Sequence, residues 1–187
     1  MDTGRRADWV LTTLLALLAS AMLMQMRLPT VTPVLTLRFA QNAVTIKDLD
    51  QARSITSTGV RQVDVLDLSR DGALAHPVLG ALGPREHFFV DLDVKIVATR
   101  TARYRFDVRS DDGFALEIDG RRICAHTGDR ALTTQVCGVL LTAGAHALAL
   151  RYFQGVGPAG LAVRWAVGEE PWRWLGAGSD ALQFRAD

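Results

Sequence analysis

The chain has 187 residues, with 21 lysines and arginines against 20 aspartates and glutamates and a formal net charge of +1. These charges are spread along the sequence, which argues against a basic surface for nucleic acid, and we predict no nucleic-acid partner. The four histidines have no metal-type spacing, and neither HExxH, GxSxG nor a Walker motif occurs, so we predict no catalytic centre.

The N-terminal segment, residues 1–28, has the composition of a membrane segment. Arg5 and Arg6 precede an uncharged run at residues 9–26, which as a helix would measure about 27 Å, close to the roughly 30 Å of bilayer hydrocarbon. We predict an uncleaved single-pass transmembrane helix, with a cytoplasmic N-terminus and the rest of the chain in the periplasm or outside the cell. The alternative is a signal peptide cleaved near Ala19-Ser20-Ala21.

Beyond this segment the pattern is typical of strands. Residues 29–33 contain two prolines and are predicted to be a stiff linker. Residues 34–187 suit one compact domain. A polar break separates its early strands, and a loop then carries a helix-compatible stretch. The early strands are predicted at residues 36–39, 44–46 and 60–68, the break at 53–59 and the helix-compatible stretch at 73–82.

The second half alternates apolar and polar residues more regularly. Asp119-Gly120 follows one alternating run and predicts a tight hairpin, because a type I′ turn needs two residues with positive φ. A C-terminal segment with Trp172, Trp174, Leu182 and Phe184 is expected to pack back onto the core. Short strands without helical periodicity predict an all-β antiparallel sandwich. The strands of this half are predicted at residues 88–97, 103–109, 114–118, 121–125, 145–152 and 161–166.

One spaced motif gives the second half a family resemblance. Its first part runs Tyr104-x-Phe106-x-Val108-x-Ser110-Asp111-Asp112-Gly113-x-x-Leu116-x-Ile118-Asp119-Gly120. Its second part runs Leu140-Leu141-Thr142-Ala143-Gly144, then Tyr152-Phe153-Gln154, a glycine-containing loop and Leu161-x-Val163-x-Trp165. Together these resemble the PA14 (protective-antigen-type) domain family over at least residues 87–165.

The resemblance implies a β-sandwich binding module, often for carbohydrate. In the adhesin branch of the family, consecutive aspartates hold a calcium ion that orients sugar hydroxyls, and by motif position these are Asp111 and Asp112. Calcium takes six to eight oxygen ligands, so two carboxylates begin a site without completing it. The adhesin site also uses an asparagine from another loop, whereas the only asparagine here is Asn42; Asp129 is the candidate substitute.

A structural interpretation of the acidic pair stays open beside the calcium hypothesis. The carboxylates of Asp111 and Asp112 could instead accept hydrogen bonds from amides of their own turn, which shapes the chain reversal before Gly113 without a metal. Similarly, Trp172 and Trp174 are candidate sugar-stacking residues, with core packing as the alternative.

The remaining candidates are the cysteines and a glycine-rich loop. Cys124 and Cys137 form either a disulfide or two buried thiols. Gly155-x-Gly157-x-x-Gly160 matches GxGxxG, but it lies between two predicted strands and is interpreted as a flexible loop rather than a phosphate site.

Two functions follow from these features. The first is a membrane-anchored extracytoplasmic module that binds carbohydrate or glycoconjugate. The second is an accessory subunit that docks to other membrane or envelope proteins through its helix and its sandwich.

Overall fold

The computed structural model describes residues 30–185, which contain fourteen strands and no helix. This confirms the prediction of an all-β antiparallel fold. The strands are β1 (Leu35–Asn42), β2 (Ile55–Val63), β3 (Asp67–Leu68), β4 (Ala75–His76), β5 (Gly80–Ala81), β6 (Phe88–Ala98), β7 (Ala102–Asp111), β8 (Phe114–Ile118), β9 (Arg121–His126), β10 (Thr133–Leu141), β11 (Gly144–Gln154), β12 (Gly160–Val167), β13 (Arg173–Trp174) and β14 (Leu182–Arg185).

The strands form two main sheets. The first sheet has seven strands in the order β2-β1-β6-β11-β8-β9, and β14 pairs with β6 beyond the end of β1. The second sheet has five strands in the order β10-β7-β12-β13, with β3 paired to β12. β4 and β5 form a separate small hairpin. Consecutive strands often lie in different sheets, so the chain repeatedly crosses between the two layers.

The core lies between the sheets and follows from the period-two alternation of their strands. In β7, Tyr104, Phe106 and Val108 are buried, while the arginines between them lie on the outer face. Trp165 of β12 is buried beside Phe184 of β14, with ring centroids 6.4 Å apart. Among the described residues, the core lies between positions 34 and 184, and it belongs to one compact unit that begins at Val31. A fragment of residues 30–187 therefore retains the whole core, and we expect it to fold alone.

The first half departs from the sequence prediction in four places. The strand predicted at residues 60–68 is interrupted at 64–66, and its two parts belong to β2 and β3 in different sheets. Residues 44–46 are a loop rather than a strand, and the polar stretch predicted as a break belongs to the edge strand β2. Serine and threonine suit this strand because it is exposed on both faces. The helix-compatible stretch contains the β4–β5 hairpin, since Pro77 disfavours helical geometry at His76, whose Nδ1 accepts hydrogen bonds from the following turn.

A second, smaller core fixes the loop at residues 43–54 over the outer face of the first sheet. Ile46 and Leu49 of this loop pack against Phe89, Ala115 and Phe153 of the sheet. The loop is therefore held in place even though it contains no regular strand.

The predicted turn at Asp119-Gly120 is present, with φ angles of 51° and 74°. The Asp119 carboxylate also binds His146: Oδ2 lies 2.7 Å from Nδ1 of the imidazole, while the other ring nitrogen lies 2.9 Å from the Thr142 carbonyl. Both ring nitrogens face oxygen acceptors, which favours the protonated ring. The hydrogen bond with Asp119 is the largest cause of the raised pKa of His146, and the same bond lowers the pKa of Asp119.

This pair predicts a pH-dependent contribution to stability. The raised pKa of His146 gives a contribution that is complete below the unfolded pKa, about 6.5, and is lost as pH rises through the folded pKa. The lowered pKa of Asp119 gives a contribution that is lost only as pH falls through its own folded pKa. The loss of stability in His146→Gln should be largest near pH 5 and should shrink by pH 9, measured by urea unfolding. A loss that is independent of pH would contradict the charged pair.

Among residues 30–185, no helix has the length and apolar character needed to cross a bilayer. The predicted membrane segment, residues 9–26, lies outside the described residues, so the anchor and its orientation stay predictions.

Candidate functional site

The acidic motif lies where the chain crosses from the second sheet to the first. β7 ends at Asp111 and β8 begins at Phe114. The peptide bond between Asp111 and Asp112 is cis. A Cβ on Gly113 would lie 2.4 Å from the Phe153 ring, so only glycine fits directly after the acidic pair.

Asp112 connects this crossing to two other loops. Its Oδ2 accepts a hydrogen bond of 2.8 Å from the Gly155 amide, and its Oδ1 accepts one of 3.3 Å from the Arg130 amide. The side chain is only 6% exposed. Asp112 does accept hydrogen bonds from backbone amides, as the structural interpretation expects, but the donors belong to distant loops rather than to its own turn.

A cavity of about 450 Å³ opens over the acidic pair. Three loops and the crossing between the sheets form its walls. An isolated bridge between Asp48 and Gly128, and a hydrogen bond of 2.7 Å from the Leu49 amide to the Thr127 carbonyl, hold two of the loops together. The volume is within the range of small-ligand sites, about 300 to 1,000 Å³. The lining residues are Thr45, Ile46, Lys47, Asp111, Asp112, Asp129, Arg130, Ala131, Val156 and Pro158.

The two carboxylates are electrostatically costly when ionised. Burial is the main cause of a raised pKa in both, and the Asp112 charge raises the pKa of Asp111 further. The Asp129 charge acts in the same direction on Asp112. Buried negative charge of this kind favours a ligand that brings either positive charge or several hydrogen-bond donors.

Arg130 lies beside the acidic pair. One of its terminal nitrogens donates a hydrogen bond of 2.7 Å to the Ser110 hydroxyl, and its guanidinium lies 5.2 Å from the centre of the Phe114 ring. The Arg130 charge lowers the pKa of Asp111, although burial has the larger, opposite effect. Its buried Nε has no hydrogen-bond partner among the described residues.

The donor set fits a calcium ion only in part. Asp111 and Asp112 offer hard carboxylate oxygens, and Asp129 Oδ1 and the Ile46 carbonyl both lie within 4 Å of the point where a Cβ on Gly155 would be. Within residues 30–185, however, no three or more histidine, cysteine, aspartate or glutamate side chains are arranged to share a metal. A calcium ion here would need carbonyl oxygens and waters for most of its ligands.

The sequence did not identify two of the residues that define this site. Arg130 carries a charge next to Asp129 but belongs to no recognised motif. Gly155 was interpreted only as part of a flexible loop, whereas a Cβ there would lie 2.8 Å from the Ile46 carbonyl oxygen. The requirement for glycine comes from a loop more than a hundred residues earlier in the chain, so no local pattern reveals it.

The structure does not place the two tryptophans beside the acidic pair. Trp174 is paired with Arg164, whereas Asp111 is paired with Gly160 on the same strand β12, a separation of about 13 Å along the strand. Trp172 and Trp174 are partly buried on the outer face of the second sheet, where arginine side chains cover them. They therefore contribute nothing to this cavity.

The cysteines join the edges of the two sheets. Cys124 of β9 and Cys137 of β10 form a disulfide, with Cα atoms 5.9 Å apart. The bridge encloses the loop that carries Asp129 and Arg130. It therefore constrains one wall of the cavity.

Comparison with known proteins places this geometry in a family. The PA14 domain family model matches residues 79–169. Comparison with curated proteins gives no match.

Three solved structures are similar to the chain. The PA14 sugar-binding domain of an RTX adhesin is 18% identical with a TM-score of 0.59, covering 78% of this chain and 96% of that one. The PA14 domain of the MpAFP antifreeze protein is 14% identical with a TM-score of 0.60, covering 83% and 95%. The Epithelial Adhesin 6 A domain of Candida glabrata, solved with Galβ1-3GlcNAc, is 12% identical with a TM-score of 0.55, covering 86% and 91%. The resemblance found in the sequence is thereby confirmed, and residues 79–169 of this chain belong to the PA14 domain family.

Proposed function

We propose that this chain is a carbohydrate-binding module whose sugar site is the cavity over Asp111 and Asp112. The observation that carries the proposal is the convergence of three loops on two buried, adjacent carboxylates in a cavity of about 450 Å³. The adhesin structures with the same fold support it, because one is described as a sugar-binding domain and another was solved with Galβ1-3GlcNAc.

The chemistry of the cavity suits a polyhydroxylated ligand. Sugar hydroxyls donate hydrogen bonds, and carboxylate oxygens accept them strongly because the acceptor is charged. Lys47 and the amides of the surrounding loops supply donors for the hydroxyl oxygens. Within residues 30–185, no aromatic side chain lines this cavity, so affinity is expected to depend on polar contacts more than on stacking.

Calcium is part of the proposal. When bound, the ion would neutralise the negative charge that burial makes unfavourable and would present open coordination positions to hydroxyl oxygens. Asp111 and Asp112 would hold it, with Asp129 as a further oxygen donor. The protein supplies the rigid platform, because Asp112 is fixed by amides from two loops.

We also propose that the module is anchored in a membrane by residues 9–26 and displayed outside the cytoplasm, and that it binds its ligand without chemical turnover. The apolar N-terminal run supports the first part. The absence of any known catalytic motif in the sequence supports the second.

The test is a glycan array that includes Galβ1-3GlcNAc, probed with residues 30–187 in calcium and in a chelator. We expect binding to a related set of sugars in calcium and at least a tenfold loss in the chelator. Asp129→Asn should weaken binding, and Asp180→Asn, which alters another exposed aspartate outside the cavity, is the matched control. A folded fragment that binds no sugar in either condition would reject the proposal.

A second candidate function is docking to another membrane or envelope protein. The observation that favours it is the edge strand β2, which pairs only with β1 among the described strands and exposes Ile55 and Val60. Such an edge can accept a further strand from a partner. If the folded fragment binds no sugar on the glycan array, docking to a protein partner becomes the leading function.

A further inference from the structure

The outer face of the second sheet carries a group of arginine side chains that takes no part in the sugar cavity. Its central strand β7 presents Arg103, Arg105 and Arg109, and neighbouring β12 presents Arg164. Asp107 and Glu169 oppose them, and Asp67 of β3 lies on the same face, where it is paired with Arg70. With Arg70 included, the face thus has five positive groups and three negative groups, while the whole chain has a net charge of only +1.

Two of these arginines are not neutralised by the domain itself. Arg164 forms an ion pair with Asp107, and Arg105 lies 3.6 Å from Glu169. Among residues 30–185, no carboxylate lies within ion-pair distance of Arg103 or Arg109. Both side chains belong to exposed residues, so their charges are available to a partner.

Arg103, Arg105 and Arg109 form a column along β7, and apolar groups lie on both sides of this arginine column. On the edge strand β10, Val136 is 58% exposed and Leu140 is 69% exposed. Gly138 lies between them on the same face, and the Arg103 guanidinium covers it. Two of the guanidinium nitrogens lie 3.2 Å from the point where a Cβ on Gly138 would be. One positive charge is therefore held between two exposed aliphatic side chains.

The other side of the column is aromatic. The Trp172 ring has the guanidinium of Arg105 at 4.9 Å and that of Arg164 at 5.7 Å, and Arg164 also lies 5.8 Å from the Trp174 ring. These contacts hold the arginine side chains against the sheet. The charges of Arg105 and Arg164 are thereby fixed in place before any partner binds.

The outer face of the first sheet provides a contrast within the same molecule. There Arg53 pairs with Asp91, while Arg38 and Arg151 both pair with Asp93. The charges of Arg38, Arg53 and Arg151 are therefore balanced within the domain. An excess of unpaired arginine beside exposed aliphatic groups occurs on the second sheet.

We propose that the outer face of the second sheet docks on an anionic lipid bilayer. A sheet face is broad and shallow, which suits a flat partner. Arginine, tryptophan and exposed aliphatic side chains are also the residues that favour the boundary between headgroups and hydrocarbon. Anionic headgroups complement the excess positive charge, and each basic residue near such a surface strengthens binding roughly fivefold.

The test uses residues 30–187 and sedimentation with vesicles of phosphatidylcholine alone or mixed with phosphatidylglycerol. We expect binding only to the mixed vesicles, and it should weaken as salt rises because screening shortens the reach of the charges. Arg103→Gln/Arg109→Gln should lower the partition coefficient roughly thirtyfold. Leu140→Ser should lower it as well.

Matched controls separate this face from general charge and hydrophobicity. Arg61→Gln/Arg121→Gln removes the same charge from exposed positions elsewhere, and Val60→Ser removes an aliphatic group that is 55% exposed. Both controls should bind like the unmodified fragment. Equal losses in test and control variants, equal binding to both kinds of vesicle, or no vesicle binding would each overturn the proposal.

Discussion

Replacing Asp112 with alanine should destabilise the domain by about 3 kcal/mol and abolish sugar binding. The Asp112 carboxylate accepts the amides of Gly155 and Arg130, and each buried donor left without a partner costs about 1 to 3 kcal/mol. Loss of the carboxylate also releases two loops that form the cavity wall. The measurements are urea unfolding and sugar binding of the same preparation.

Asp112→Asn separates the structural role of this side chain from its binding role. Asparagine keeps an oxygen that can accept the Gly155 amide and removes a charge whose pKa burial raises. We expect a stability within about 1 kcal/mol of the unmodified domain but the same loss of calcium-dependent binding. If Asp112→Asn binds sugar normally, the carboxylate serves only the fold, and the proposed site is wrong.

Removing the disulfide should produce a second large effect. Cys124 and Cys137 are 13 positions apart, and a loop of this size closed by a covalent bond contributes about 3 kcal/mol through the reduced entropy of the unfolded chain. Cys124→Ala/Cys137→Ala should lower the free energy of unfolding by about this amount. Alanine is the appropriate replacement because both cysteines are almost fully buried.

The same double variant also tests how the bridge supports the cavity. The enclosed loop carries Asp129 and Arg130, so it should become more mobile, and sugar binding should weaken several-fold even where the variant is fully folded. Treatment of the unmodified domain with a reducing agent is the control and should reproduce both changes. Unchanged stability after both treatments would contradict a structural role for the bridge.

The crossing at Asp111 and Asp112 shows why the strands could be predicted from the local sequence while the contacts of the site could not. The hydrogen bonds of a sheet require a repeated local pattern, and strands such as β7 and β12 were therefore predicted from alternation alone. The contacts of Asp112 involve residues 18 and 43 positions away. Such contacts depend on how three loops meet, which no short pattern encodes.

The early strands show two places where strand prediction from local sequence was wrong. Residues 44–46 have β-branched side chains, yet they form a loop because Ile46 is buried in the smaller core against Phe89 and Phe153. The polar stretch of β2 was predicted as a break, yet it pairs along its length with β1. Tertiary packing overrides the weak propensity of short segments in both places.

The sequence by itself determined the all-β class, the tight turn at Asp119-Gly120 and the family of residues 79–169, because each depends on spacing within a strand or a turn. The tertiary structure alone decided that Cys124 meets Cys137, that Arg130 and Gly155 join the acidic pair, and that Trp172 and Trp174 lie on a different surface. These outcomes depend on which loops and sheet edges become neighbours, and that is fixed by the packing of two sheets rather than by residues adjacent in the chain.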